Sequence, residues 1–412
     1  MNKALELFLG ILTAMGGFVE IGELTFSING GVHFGYSLLW ILALGTIGII
    51  VYCEMAGRVA AVRHQPVFDL IRERVGFGAG LVTLIAATLV NLLTCAAEIG
   101  GVALIWQLLT DWPYRGLVVA ALLFFLVAVW LLPFEWIERI FGLGGLLMIV
   151  FIVVAIGERP QWGTLARDLL PNVPTLPTSR EYVLYSFYAV ALLSSVMLPY
   201  ETYFYAAGAI EDRWKPDDVP LNRVIVIVGF TLGSILSVSL IAIGTQFFDP
   251  AHAEPNLPAV AAFSAAASYG KTGFLLAIGG MFFAFAGAAI ETGMSGAYNI
   301  AHFFGWPWGK FRRPREAPRF AIAWIAIFVL ATLIILSGIN PVDVVEYSIV
   351  FSVVILPFTY FPLLVVAGNR GIMRAHANGP LANTLGWLFL ALVTIAALCA
   401  IPLFVLTHGG RG

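Results

Sequence analysis

Residues 19–24 read Val19-Glu20-Ile21-Gly22-Glu23-Leu24, two glutamates around a glycine inside an apolar stretch that runs from residue 7 to 28. A charged side chain at mid-bilayer costs roughly 2.5–3.5 kcal/mol. Either this stretch does not cross a membrane, or something holds its acids there. Composition decides the first point: of 412 residues 60% are hydrophobic and 11% charged, and mean hydropathy is +0.92, far outside the range of a soluble domain. The chain reads as an all-α polytopic membrane protein, and the question becomes what the acids hold.

Eleven segments are long and apolar enough to span a bilayer, at 7–28, 35–57, 79–109, 116–132, 139–157, 182–209, 222–247, 270–303, 319–338, 343–367 and 382–407. With Lys3 in the cytoplasm, only Arg115, Arg159, Arg167, Arg180, Lys271 and Arg411 of the 22 Lys and Arg residues fall on the far side. The positive-inside rule therefore predicts a cytoplasmic N-terminus and an extracytoplasmic C-terminus. The N-terminus offers no small-x-small cleavage site before Glu20 and is expected to be retained. Cys53, Cys95 and Cys399 form no CxxC pattern and read as small buried hydrophobes. No nucleic-acid footprint and no Walker motif is visible, so neither nucleic acid nor ATP is an expected partner.

A Pro-rich extracytoplasmic loop at 161–180 divides the chain into segments one to five (1–160), segments six to ten (181–370) and a last segment with the C-terminus (371–412). In both sets the leading segment is interrupted: VEIGELT at 19–25 and VMLPYETY at 196–203, with Gly22 and Pro199 as the helix-breaking residues. Discontinuous helices at matching places in two halves point to a transporter's binding site.

The acids within the apolar segments are Glu20, Glu23, Glu98, Glu201 and Glu291, with Glu54 near a cytoplasmic end and no Lys or Arg at comparable depth. Ionised and unpaired, Glu20, Glu23, Glu98 and Glu201 would together cost on the order of 10–14 kcal/mol. Protons could neutralise them singly, or a metal cation could be held by several at once. Glu20 and Glu23, three apart, share a helix face; with carbonyls freed at Gly22 they would make an all-oxygen site suited to Mg2+, Ca2+ or Mn2+.

Beyond these acids, GGVHFGYSLLW (30–40), AAEIGGVALIWQLL (96–109) and ILPFTYFPLL (355–364) are similar to stretches of the NRAMP family, the natural resistance-associated macrophage proteins, which are proton-coupled transporters of divalent transition metals. The resemblance covers nearly the whole chain. It implies a LeuT-like fold of two inverted five-helix repeats plus an eleventh transmembrane helix, with helices one and six broken. Where the family has Asp-Pro-Gly-Asn in helix one, this chain has Glu20, Ile21, Gly22, Glu23. Where it has Ala-x-x-Met-Pro-His-Asn in helix six, this chain has Ser195 to Glu201.

Carried over by position, the metal ligands would be the Glu20 and Glu23 side chains and the Ser195 carbonyl, joined by Glu201. Leu198 stands in place of the family's thioether; Met197 beside it could still reach the ion if the half-helix ends in a shifted register. Tyr200 and Tyr205 replace two histidines, Ile355 replaces a glutamine, and Cys95 replaces an aspartate one turn before Glu98. The site should be harder and more anionic than the family's usual one. Any proton coupling would run through Glu98 and Glu201.

Glu291, Ser295 and Asn299 share one face of the eighth segment, equally readable as interhelical glue or as a conduction path. His33, His64, His252, His302, His376 and His408 are expected to be solvated in loops or at segment ends. The Phe and Trp residues are expected at the lipid face or the interface. The expectation is a secondary transporter of divalent cations into the cytoplasm of a bacterial-type cell, set in the inner membrane, not an enzyme and without a cofactor. A monomer is compatible with the sequence. The alternatives are a cation-coupled symporter of a small organic solute on the same fold, and a non-transporting ion sensor.

Overall fold

The computed structural model of the chain describes residues 11, 20–132, 134–248, 258–309, 312 and 314–410. These residues form sixteen α-helices. In chain order they are α1 (Ile21–Phe34), α2 (Leu39–Arg63), α3 (Val67–Val75), α4 (Phe77–Thr110), α5 (Tyr114–Leu131), α6 (Phe134–Gly145), α7 (Ile149–Gly157), α8 (Trp162–Asp168), α9 (Ser179–Val196), α10 (Pro199–Glu211), α11 (Val219–Ile243), α12 (Ala262–Phe304), α13 (Pro318–Leu336), α14 (Pro341–Gly368), α15 (Arg370–Met373) and α16 (Pro380–Leu406). Helix is the form available to these segments because hydrocarbon offers no partner to a free N–H or C=O, and helices satisfy the backbone within themselves.

Ten stretches among the described residues are long and apolar enough to cross a membrane. The first, Ile21–Arg63, holds two of the expected segments, joined around Gly35 at φ 58°; the start of the first segment lies outside the described residues. Helix ends follow local chemistry. The chain leaves α2 through His64 and α4 through Asp111, both left-handed, each with a proline two residues on that cannot continue the helix. The expected fifth segment is split into α6 and α7 by a 3-10 turn, Leu146–Met148. α12 starts earlier than expected but kinks at Tyr269 and Gly270, where the eighth segment was expected to begin. The expected 161–180 loop carries α8, and residues 249–257, within the Pro-rich stretch FDPAHAEPNLP (248–258), lie outside the described residues.

The centre of the bundle is built on α4, which packs against α12, α14 and α13, while α2 packs against α11, α10 and α9. Two sequence expectations about side chains need correction. Phe125, Phe151, Phe230, Phe285, Phe303 and Phe328 are fully buried, and glycines make room for some of the rings: a Cβ on Gly293 would lie 2.6 Å from Phe328 Cζ, and one on Gly101 3.1 Å from Phe285 Cδ2. Trp112, Trp130, Trp136, Trp162 and Trp387 do lie on the outside. Cys53 and Cys95 are buried, but Cys399 is exposed, because α16 packs mainly on α14 and α9 and turns its other face outward.

The tightest crossing is that of α1 with the end of α11. A Cβ on Gly31 would come within 2.2 Å of the Ile241 carbonyl, and one on Gly244 within 2.1 Å of the Ile28 carbonyl. Small residues at both positions let the two backbones touch. Gly31→Ala should therefore lower the thermal stability of the purified protein by about 1–3 kcal/mol, the usual range for overpacking. Gly116→Ala, whose Cβ meets nothing within 4 Å, should be neutral or slightly stabilising. Equal melting temperatures for both variants would contradict the crossing.

Candidate functional site

At both expected interruptions a helix begins directly after non-helical backbone. Glu20 is extended (φ −101°, ψ 176°) and α1 begins at the next residue. Met197 (φ −104°, ψ 42°) and Leu198 (φ −59°, ψ 130°) separate α9 from α10. Pro199 occupies the first position of α10, where no N–H is needed. Because proline has no N–H, the Ser195 carbonyl loses its usual donor four residues on. The Met197 carbonyl is satisfied from outside by Tyr360 Oη on α14, at 3.1 Å.

Gly22 is not itself the unwound residue, since it sits in the first turn of α1. Its requirement is space: a Cβ there would meet Glu20 Oε1 at 2.8 Å and Ile349 Cδ1 at 2.7 Å. Glu23 and Glu201 are each the third residue of a helix, α1 and α10, that begins directly after non-helical backbone. At that position free N–H groups and the positive end of the helix dipole favour an anion.

Glu20, Glu23, Glu98 and Glu201 are all buried, none more than 6% exposed. The donors that reach them are hydroxyls and one backbone N–H. Glu23 accepts from Ser27 Oγ at 2.8 Å and from Ser195 Oγ at 2.5 Å, which ties α1 to the end of α9. Glu20 Oε2 accepts from Tyr200 Oη at 3.3 Å. Glu98 Oε1 accepts from the Ile21 N–H at 2.9 Å and so caps α1 from α4. Glu20 lies within electrostatic reach of Glu23, Glu98 and Glu201. The second oxygens of Glu98 and Glu201 are buried with no hydrogen-bond partner. Several acids in low dielectric with oxygens to spare make a place for a cation.

The remaining residues singled out from the sequence divide between centre and periphery. Ser195 enters through its hydroxyl as well as its freed carbonyl. Leu198 is buried at the second break. Met197 points its sulfur at α2, where a Cβ on Gly48 would lie 2.6 Å from Sδ. Tyr205 is turned to Asn222 Oδ1 at 2.8 Å, and Asn222 in turn donates to the Glu54 carbonyl at 2.9 Å. Glu54 itself pairs with Arg58 at 2.8 Å and Arg223 at 3.2 Å. Ser295 reaches the Tyr200 carbonyl at 3.4 Å, Glu291 is half-buried within reach of Tyr200, and Asn299 is buried.

Among the described residues no three His, Cys, Asp or Glu side chains converge as a ready metal cage, so any ion held here would also use hydroxyl and carbonyl oxygens. His302 is a correction: it is 2% exposed, because the chain folds back after α12 and sets Trp308 against it, with Tyr298 on its other side. His252 lies outside the described residues. Sequence reading missed Ser27 and Tyr360. Ser27 was findable, being four residues after Glu23 and so on the same helix face; Tyr360 was not, because only packing brings α14 to the break.

The comparisons with known proteins bear on the whole chain. Residues 10–402 match the family described as natural resistance-associated macrophage protein-like. The divalent metal cation transporter MntH of Deinococcus radiodurans is 26% identical over 401 residues, 92% of this chain and 85% of that protein. The crystal structure of the Eremococcus coleocola manganese transporter superposes with a TM-score of 0.74 at 21% identity, over 98% of this chain and 87% of that one. MhsT, solved in complex with L-phenylalanine, gives a TM-score of 0.63 at 18% identity, over 97% and 98% of the two chains. Together these likenesses identify the fold as LeuT-like.

The Glu98 cap is open to test by stability. Glu98→Gln keeps an acceptor for the Ile21 N–H, whereas Glu98→Leu leaves that N–H unpaired. The leucine variant should be less stable than the glutamine variant by about 1–2 kcal/mol, the range for losing a helix cap. Thermal unfolding in detergent measures the difference; equal stability would mean that Glu98 does not hold the start of α1.

Proposed function

Since the chain belongs to the natural resistance-associated macrophage protein family, we propose that it is a secondary transporter that carries divalent metal cations into the cytoplasm. The observation that carries this reading is that Glu20 lies within electrostatic reach of Glu23, at the start of α1, and of Glu201, at the start of α10, while the Ser195 hydroxyl donates to Glu23. The ligands are the Glu20, Glu23 and Glu201 carboxylates and the Ser195 carbonyl. Leu198 offers no donor, and the direction of the Met197 sulfur toward Gly48 supports a site without a thioether. An oxygen site of this kind favours Mn2+, Mg2+ or Ca2+ over thiophilic ions such as Cd2+.

Transport is coupled to protons through Glu98 and Glu201, a reading supported by the unpartnered oxygen that each keeps in the interior. Residues 1–160 and 181–370 are the two inverted repeats, and residues 371–412 carry the eleventh segment. The N-terminus is cytoplasmic and the C-terminus extracytoplasmic, as the distribution of Lys and Arg supports.

Purified protein in liposomes, assayed for Mn2+, Mg2+, Ca2+ and Cd2+ entry with internal pH followed in parallel, tests the reading. Entry of Mn2+ with internal acidification is expected, and failure of all four ions to enter would sink it. Glu20→Gln and Glu23→Gln should each reduce uptake at least tenfold; undiminished uptake in both removes them as ligands. Leu198→Met should raise Cd2+ entry relative to Mg2+, and an unaltered ratio would mean that position 198 does not face the ion.

A further inference from the structure

Glue and path make different demands on the polar face of α12. A clamp between helices pairs its polar atoms across the interface, whereas a path leaves them facing its lumen. Asn299 is 1% exposed, and neither its Oδ1 nor its Nδ2 has a hydrogen-bond partner. An interior amide in that condition carries a penalty of about 1–3 kcal/mol per unpaired group, which a purely structural residue has no reason to bear.

The position of Asn299 gives it a use. One turn before it, Ser295 reaches the carbonyl of Tyr200, next to Glu201, whose Oε2 is likewise unpartnered. Beside it, Tyr298 packs on Phe204 with ring centroids 6.3 Å apart and donates to Glu211 Oε1 at 2.8 Å. Glu211 lines a cavity of about 610 Å³ with Arg213, Trp306 and Trp308, where α10 and α12 end. The two helices thus run side by side from the carboxylate cluster to this cavity, with Asn299 between.

We propose that Asn299 is a relay for the divalent cation between the carboxylate cluster and the cavity at the ends of α10 and α12. Its Oδ1 would replace one water of the ion's shell as the ion passes. A neutral amide oxygen suits that step: it is hard enough to bind the ion, yet without the charge that would trap it, and conduction needs sites an ion can leave. This inference rests on the transport reading above.

The test compares Asn299→Leu with wild type in Mn2+ entry into liposomes, equilibrium Mn2+ binding to purified protein, and thermal unfolding. Entry should fall tenfold or more and binding stay within twofold, with no loss of thermal stability because an apolar side chain replaces an unpaired amide. Entry within twofold of wild type overturns the proposal. So does a fall in binding that matches the fall in entry, since Asn299 would then belong to the central site. Should the leucine variant fail to fold, Asn299→Ser decides: entry reduced threefold or more supports the relay, and unchanged entry overturns it. If wild-type liposomes admit no Mn2+, the transport reading has failed and the relay falls with it; wild-type entry with unimpaired Asn299→Leu entry removes the relay alone.

Discussion

A carboxylate buried in a membrane protein needs donors that do not themselves need water, and one helix N-terminus and several hydroxyls supply them to Glu20, Glu23 and Glu98. The N-terminal turn of α1 offers the Ile21 N–H to Glu98 and places Glu23 on its third residue. The N-terminal turn of α10 likewise carries Glu201 on its third residue. Hydroxyls from Ser27, Ser195 and Tyr200 complete the shell. The donors that reach the acids are therefore dipoles and neutral groups.

Much of the surrounding structure brings the starts of α1 and α10 together. α4 delivers Glu98 to the start of α1, and α14 delivers Tyr360 to the Met197 carbonyl and Ile349 to the wall against Gly22. Ser194, on the last turn of α9, donates to the Ile349 carbonyl at 2.7 Å and ties the same two helices from the other side. The contact of α1 with α11 at Gly31 and Gly244 admits no side chain. These contacts are close and mutually dependent, so the acids cannot separate without disturbing the bundle.

The chemistry of the cluster differs in kind from the rest of the molecule's charge. Glu54 meets Arg58 and Arg223, a conventional ion pair near helix ends. The central acids meet hydroxyls and a backbone N–H and lie within electrostatic reach of one another. That contrast sets the central acids apart from the ion-paired Glu54.

Composition and periodicity were enough to read a helical membrane protein with two interrupted segments, because hydrocarbon restricts the backbone to a few solutions and Pro199 and the Glu20–Glu23 pair violate the pattern locally. The acids stood out in the sequence because few residues are so costly at that depth. What only the tertiary structure decided is which atoms they meet: that Gly22 is needed for space and not for a bend, that Ser195 acts through its hydroxyl, that Met197 turns its sulfur to Gly48, and that His302 is enclosed. Those outcomes depend on contacts between residues far apart in the chain, and such contacts are fixed by how whole helices pack and leave no mark in local spacing.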